Sequence, residues 1–171
     1  MNSKERRAYI ENLLKENNSP RKGSSIAEDL GVTRQVIVKD IAILRAEGKK
    51  IIATPEGYLM PKEERNMVKK IMAFSHKSDD IEDELKTIVK FGGIIEDVVI
   101  EHSLYGEIRG MLMIKTFYDV ENFINKLKSY KAEPLLILTG GIHLHSISAE
   151  NYEIIDNIIR ELKDKGYLIE D

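Results

Sequence analysis

The sequence predicts an α+β protein in two parts. Residues 1–60 read as a winged helix-turn-helix. Residues 65–171 read as a domain whose mixed or antiparallel sheet is packed with helices, a ferredoxin-like variant. Three observations carry this prediction. The run from Gly31 to Ile41, Gly-Val-Thr-Arg-Gln-Val-Ile-Val-Lys-Asp-Ile, sits directly after a short helical stretch, Ser24 to Leu30. Strand and helix patterns then alternate beyond residue 65. Between the two parts lies a polar break, Pro61-Lys62-Glu63-Glu64, across which the charge changes sign. Residues 1–60 carry 11 Lys and Arg against 8 Asp and Glu, and the remainder carries 15 against 21.

The elements follow in order. Ser3 to Asn17 is a helix with Ile10, Leu13 and Leu14 facing inward, ended by Asn17-Asn18-Ser19-Pro20. Gly31 suits a left-handed turn position, and Thr33 suits an N-cap whose hydroxyl accepts a first-turn N–H. Ile37, Ile41 and Leu44, spaced four and three apart, form one buried face of the helix that closes at Gly48. Lys50 to Met60 reads as two short strands around a Pro55-Glu56-Gly57 turn, the wing.

In the second part, Met67 to Phe74 is a strand. Asp79 to Phe91 is a helix with Ile81, Leu85, Ile88 and Val89 inward, stopped at Gly92-Gly93. Ile94 to Glu101 and Ile108 to Lys115 form a hairpin around Ser103 to Glu107. Tyr118 to Tyr130 is a helix with Val120, Phe123, Ile124 and Leu127 inward. Pro134 to Leu138 extends a strand or starts a loop, and Ile142 to Ser148 is a strand. Ala149 to Lys165 is a helix with Tyr152, Ile155, Ile158, Ile159 and Leu162 inward, and Tyr167 to Ile169 is a last short strand.

Composition narrows the function classes. Apolar content of 42% and charged content of 32% over 171 residues describe a soluble globular protein. No apolar run approaches the roughly 20 residues that cross a bilayer. Met1 to Arg7 is charged and lacks a signal core, so the expected location is cytoplasmic, with no membrane partner. With no cysteine, a metal site must use histidine and carboxylate. There is no Gly-x-Ser-x-Gly, no phosphate loop and no His-Glu-x-x-His, and the chain is read as not an enzyme.

Two groups of residues carry chemistry. Thr33, Arg34, Gln35 and Lys39 lie off the buried face of the second helix of the pair. Arg34 and Gln35 fall in its first turn, where recognition helices meet base edges, and Lys39 is placed for phosphate. The expected partner is double-stranded DNA. All four histidines lie in the second part. His143 and His145 alternate on a strand, so both imidazoles face one side. His76 ends the first strand of that part and Glu84 opens the helix after it. A His-His-His-Glu set fits one divalent transition ion: zinc, nickel, iron or manganese. His102 reads as a further ligand, a group behind the ligands or a polar hairpin residue.

Together these stretches resemble the niacin-responsive transcriptional repressors, in which a winged helix is joined to a domain named for three histidines, the 3H domain. The matching stretches are Thr33 to Ile41, Ile51-Ile52-Ala53-Thr54 with Gly57-Tyr58, His76 with Glu84, Ile100-Glu101-His102 with Tyr105-Gly106-Glu107, and Gly141-Ile142-His143-Leu144-His145. The resemblance spans nearly the whole chain. It implies a homodimeric repressor of NAD-biosynthesis and niacin-uptake genes that binds operator DNA with nicotinic acid, or a related pyridine carboxylate, as corepressor. It also implies a divalent metal in the 3H domain, carried here onto His76, Glu84, His143 and His145.

The ligand pocket is left to the residues. Arg109, the only arginine between Arg65 and Arg160, offers a planar fork to a carboxylate, Tyr105 a ring to a pyridine, and His102 stands beside them. The alternative for Arg109 is a surface strand residue paired to a nearby glutamate. Two other readings stand beside the leading one: a repressor for which the metal itself is the effector, and a metalloenzyme carrying its own DNA-binding domain.

Overall fold

The computed structural model describes residues 1–62 and 66–170. The break expected at Pro61 to Glu64 therefore lies partly outside the described residues, as do both ends of the expected second domain. The chain divides into two compact units, residues 1–64 and 65–171.

In the first unit, α1 (Ser3–Glu16) opens with a capping box. Asn2 accepts the Glu5 N–H at 2.9 Å and Glu5 accepts the Asn2 N–H at 2.9 Å. It packs with α2 (Gly23–Asp29) and α3 (Arg34–Ala46) around Ile10, Leu14, Ile26, Ile37, Ile41 and Leu44. Gly31 holds φ +63° in the turn between α2 and α3, as its left-handed role requires. Thr33 is the N-cap of α3 but makes no side-chain cap bond. Its backbone carbonyl takes the Val36 and Ile37 N–H groups instead. Thr33, Arg34 and Gln35 are exposed, so the free N–H groups of this turn face solvent and need no buried acceptor.

The wing is β1 (Ile52–Thr54) paired antiparallel with β2 (Gly57–Leu59). Arg21 adds a third rung through two backbone bonds with Tyr58. Gly57 is obligatory here, because a Cβ would stand 2.4 Å from the Arg21 carbonyl oxygen and φ is +134°.

In the second unit, β3 (Val68–Ser75) and a 3-10 turn (Ser78–Asp80) lead into α4 (Ile81–Lys90). Then come the hairpin β4 (Ile94–His102) and β5 (Gly106–Ile114), and α5 (Phe117–Tyr130). A second 3-10 segment (Leu135–Thr139), β6 (Ile142–Ala149) and α6 (Tyr152–Asp164) complete it. The sheet order is β3-β6-β4-β5 and every pairing is antiparallel, which decides between the mixed and antiparallel alternatives. Phe74, Leu85, Ile88, Ile95, Ile147, Ile155, Ile158 and Leu162 fill the core between this sheet and its helices.

Four expectations shift. Ala149 ends β6 rather than opening a helix; Asn151 caps α6 by accepting the Ile154 N–H. Tyr152, at the first position of α6, is exposed rather than inward. Pro134 to Leu138 falls at a 3-10 segment, neither strand nor plain loop. Tyr167 to Ile169 makes one bridge, Leu168 to Phe74, rather than a strand.

Candidate metal centre and DNA-reading helix

The period of two in β6 buries His143 and His145 on the helix-facing side, while Ile142 and Leu144 show on the other. Opposite them α4 presents Glu84, 1% exposed in its first turn, and His76 follows the end of β3. The three imidazoles converge on this one carboxylate. His76 Nε2 lies 2.7 Å from Glu84 Oε2, His145 Nε2 2.9 Å from Oε1, and His143 Nε2 3.6 Å from Oε1. Ligand atoms of His76, Glu84 and His143 all lie within 4.8 Å of one another.

Each imidazole is held from behind. Nδ1–H of His76 donates to the Lys77 carbonyl at 2.8 Å, that of His143 to Gly141 at 2.9 Å, and that of His145 to Asp97 at 2.5 Å. A carbonyl oxygen only accepts, so each Nδ1 carries a proton and each Nε2 is the nitrogen free to bind inward. Backbone carbonyls behind metal-bound histidines do the same, fixing tautomer and ring orientation. The Asp97 carbonyl is available because β4 has a bulge between Ile95 and Asp97, the kind of irregularity that re-aims groups beside a site. The Asp97 carboxylate takes the Ser146 N–H at 2.8 Å and the Ser146 hydroxyl at 3.0 Å.

Charge in this cage is finely opposed. Burial alone would push the Glu84 carboxyl up, but the imidazoles of His145, His143 and His76 outweigh it and hold the group well below the usual carboxylate range. Burial would likewise lower His76 and His145, and the Glu84 carboxylate reverses this and raises both. The buried Glu84 Oε1 still has no hydrogen-bond donor aimed at it. The His145 and His143 Nε2 atoms face this oxygen and His76 Nε2 faces Oε2, so a divalent cation taking the place of the protons between these nitrogens and the carboxylate would complete the set. His76, Glu84 and His143 are grouped closely enough to fit the expected ion, and His145 borders the group through Glu84 Oε1 at 2.9 Å.

The other candidates are placed elsewhere. His102 Nδ1 accepts the Leu104 and Tyr105 N–H groups at 3.1 and 3.3 Å, closing the β4–β5 turn as a polar hairpin residue. Tyr105 is 72% exposed, its ring 5.2 Å from that of His102. Arg109 pairs across the ladder with Val99, and Val99 with Leu144, so it stands on the sheet face opposite His143 and His145. Its guanidinium is engaged by Asp97 at 2.5 Å and Glu107 at 3.1 Å, which is the alternative reading given above.

Sequence reading missed Asp97 and the pair Asp83–Tyr167. Tyr167 donates to Asp83 at 2.8 Å beside Glu84, and burial together with that carboxylate pushes its hydroxyl up to about 12. The expected last strand, Tyr167 to Ile169 after Gly166, signalled a docked tail but not the Tyr167–Asp83 pair. In the first unit it missed Asp40, 2% exposed on α3 and paired with Arg6 at 2.5 Å and Arg7 at 3.7 Å. Those pairs tie α1 to α3, while Arg34, Gln35 and Lys39 stay exposed.

A helix-turn-helix with an exposed Arg34-Gln35 turn and a wing, carried beside a domain built on buried histidines, defines a DNA-binding regulator. Comparison with known proteins makes this specific. Residues 6–59 match an HTH domain family and residues 69–171 the 3H domain family. The chain is 44% identical over 167 residues to the probable transcription repressor NiaR of Thermotoga maritima, covering 98% of this chain and 95% of that one. It is 38% identical over 161 residues to the transcription repressor NadR of Bacillus subtilis, covering 92% and 89%. The chain belongs to this NiaR/NadR-type family of transcription repressors, and is a regulator rather than an enzyme.

Proposed function

We propose that this chain represses genes of NAD biosynthesis and niacin uptake, binding operator DNA as a homodimer with nicotinic acid or a related pyridine carboxylate as corepressor. In this reading Arg34 and Gln35 read base edges, Thr33 and Lys39 meet phosphates, and one divalent transition ion sits in the second unit. His76, Glu84, His143 and His145 would hold it. The ion would supply a fixed positive charge and an acceptor for the hard oxygens of a ligand carboxylate. Nickel, zinc, iron and manganese all suit three imidazoles and a carboxylate. The observation that carries the site is the convergence of three backbone-anchored imidazoles on one buried carboxylate, Glu84. With Arg109 committed to Asp97 and Glu107 on the opposite sheet face, the corepressor carboxylate belongs at the ion rather than at the arginine. His102 and Tyr105 then shape the hairpin and not the pocket. Because the protein must reach an operator, its place is the cytoplasm; among the described residues no helix is long and apolar enough to cross a membrane.

A ligand controls an equilibrium only through its different affinities for the two states, so nicotinate must favour the DNA-competent form. Operator affinity measured with ion and nicotinate added singly and together tests the reading. Tightening that needs nicotinate supports it. Tightening complete with the ion alone replaces it with a metal-sensing repressor, in which the same cage is the sensor.

A further inference from the structure

The three imidazoles are not equally secured. His143 and His145 sit on β6, an inner strand paired on both sides by β3 and β4. His76 lies beyond the end of the edge strand β3, and its Nδ1 bond reaches only its own neighbour, Lys77. Its backbone N–H reaches the Gly141 carbonyl at 3.4 Å, and further support comes from the far end of the chain. After α6, Gly166 turns the backbone at φ +73°, and Tyr167 and Ile169 form backbone bonds with Ser75 and Ala73 at 2.9 and 3.0 Å. This lays the Tyr167 ring 5.1 Å from the His76 ring. The Tyr167 hydroxyl meanwhile donates to Asp83, the residue before Glu84, which also receives the Lys165 ammonium at 2.8 Å.

We infer that Tyr167 is a positioning residue for the metal centre: ring against His76, hydroxyl on Asp83, it clamps the one imidazole carried outside a strand against the first turn of α4. The inference rests on the metal reading above. It makes ion affinity depend on the docking of the C-terminal tail, a dependence that nothing in the ligand set requires.

The test uses the full chain and Co²⁺, whose absorption reports its ligands. Tyr167→Ala should weaken Co²⁺ binding by about ten- to a hundred-fold, the usual effect of removing a group behind a ligand. Its spectrum should shift toward fewer nitrogen ligands. Tyr167→Phe keeps the ring and loses the hydroxyl, so it should fall between the two. Leu168→Ala trims the neighbouring side chain but keeps the tail's backbone bonds and the Tyr167 side chain, so it should cost much less affinity. In metal-free protein, the His76 imidazole resonances should broaden or move in Tyr167→Ala while those of His143 and His145 stay. Wild-type affinity and spectrum in Tyr167→Ala, or equal losses in Tyr167→Ala and Leu168→Ala, would overturn the inference and leave the metal reading intact. If Tyr167→Ala does not fold, Tyr167→Phe decides, and wild-type affinity in that variant overturns the clamp. A wild-type chain that takes up no ion would instead sink the metal reading, and the metal-free spectra then judge the clamp by itself.

Discussion

At the scale of single residues, exposure and proton placement separate the two functions. Arg34 is exposed in the first turn of α3, and Lys39 lies one to two turns further on. Replacing a base-reading arginine costs about 1–3 kcal/mol and relaxes sequence preference, whereas removing a phosphate-bound lysine lowers the salt slope by about one. Arg34→Ala should thus lose operator discrimination, and Lys39→Ala should weaken all sequences alike. A salt titration that shows Arg34→Ala binding its operator normally would move the docking surface off α3. In the cage, ligation needs the Nε2 lone pairs, so protons compete with the ion. Glu84 raises the pKa of His76 and His145, so competition begins above the ordinary imidazole value of about 6.5. Ion affinity should therefore fall as pH is lowered from 8 through 6, measured against a chelating dye. Affinity that stays constant across this range would take the imidazoles out of the shell.

At the scale of elements, what the sequence reveals is whatever repeats at short range. The four-and-three spacing of Ile37, Ile41 and Leu44 marks the buried face of α3, and Ile81, Leu85, Ile88 and Val89 mark that of α4. The alternation of His143 and His145 puts both on one side of β6 for the same reason. Features decided by distant partners are not written locally. Ala149 stays in strand because β3 pairs with it through Val68. The bulge that frees the Asp97 carbonyl depends on β4 meeting β5 and β6 in different registers. Arg109 finds Asp97 across that hairpin, and Tyr167 docks beside His76 from the opposite end of the domain. The wing offers a test at this scale. Gly57 combines φ +134° with an approach that forbids a Cβ, so Gly57→Ala should destabilise the first unit by more than about 1 kcal/mol. An unchanged unfolding midpoint would mean that the β1–β2 turn is not held against Arg21 as described.

At the scale of the whole molecule, a modest charge asymmetry accompanies the division of tasks. The basic first unit presents its exposed helix to a polyanion, and the acidic second unit buries a carboxylate among imidazoles. Helix-turn-helix repressors gain specificity by reading two half-sites one helical turn, or a multiple of it, apart. The proposed homodimer predicts that sedimentation at micromolar concentration shows two chains together. A monomer both with and without nicotinate would contradict it.

The central claim, that the cage holds an ion, has a direct measurement in elemental analysis of the purified chain beside a His143→Ala/His145→Ala double variant. Wild-type protein should carry one divalent transition ion per chain and the double variant essentially none, with the fold of both checked by circular dichroism. Equal metal content in the two proteins would remove His143 and His145 from the site and contradict the account.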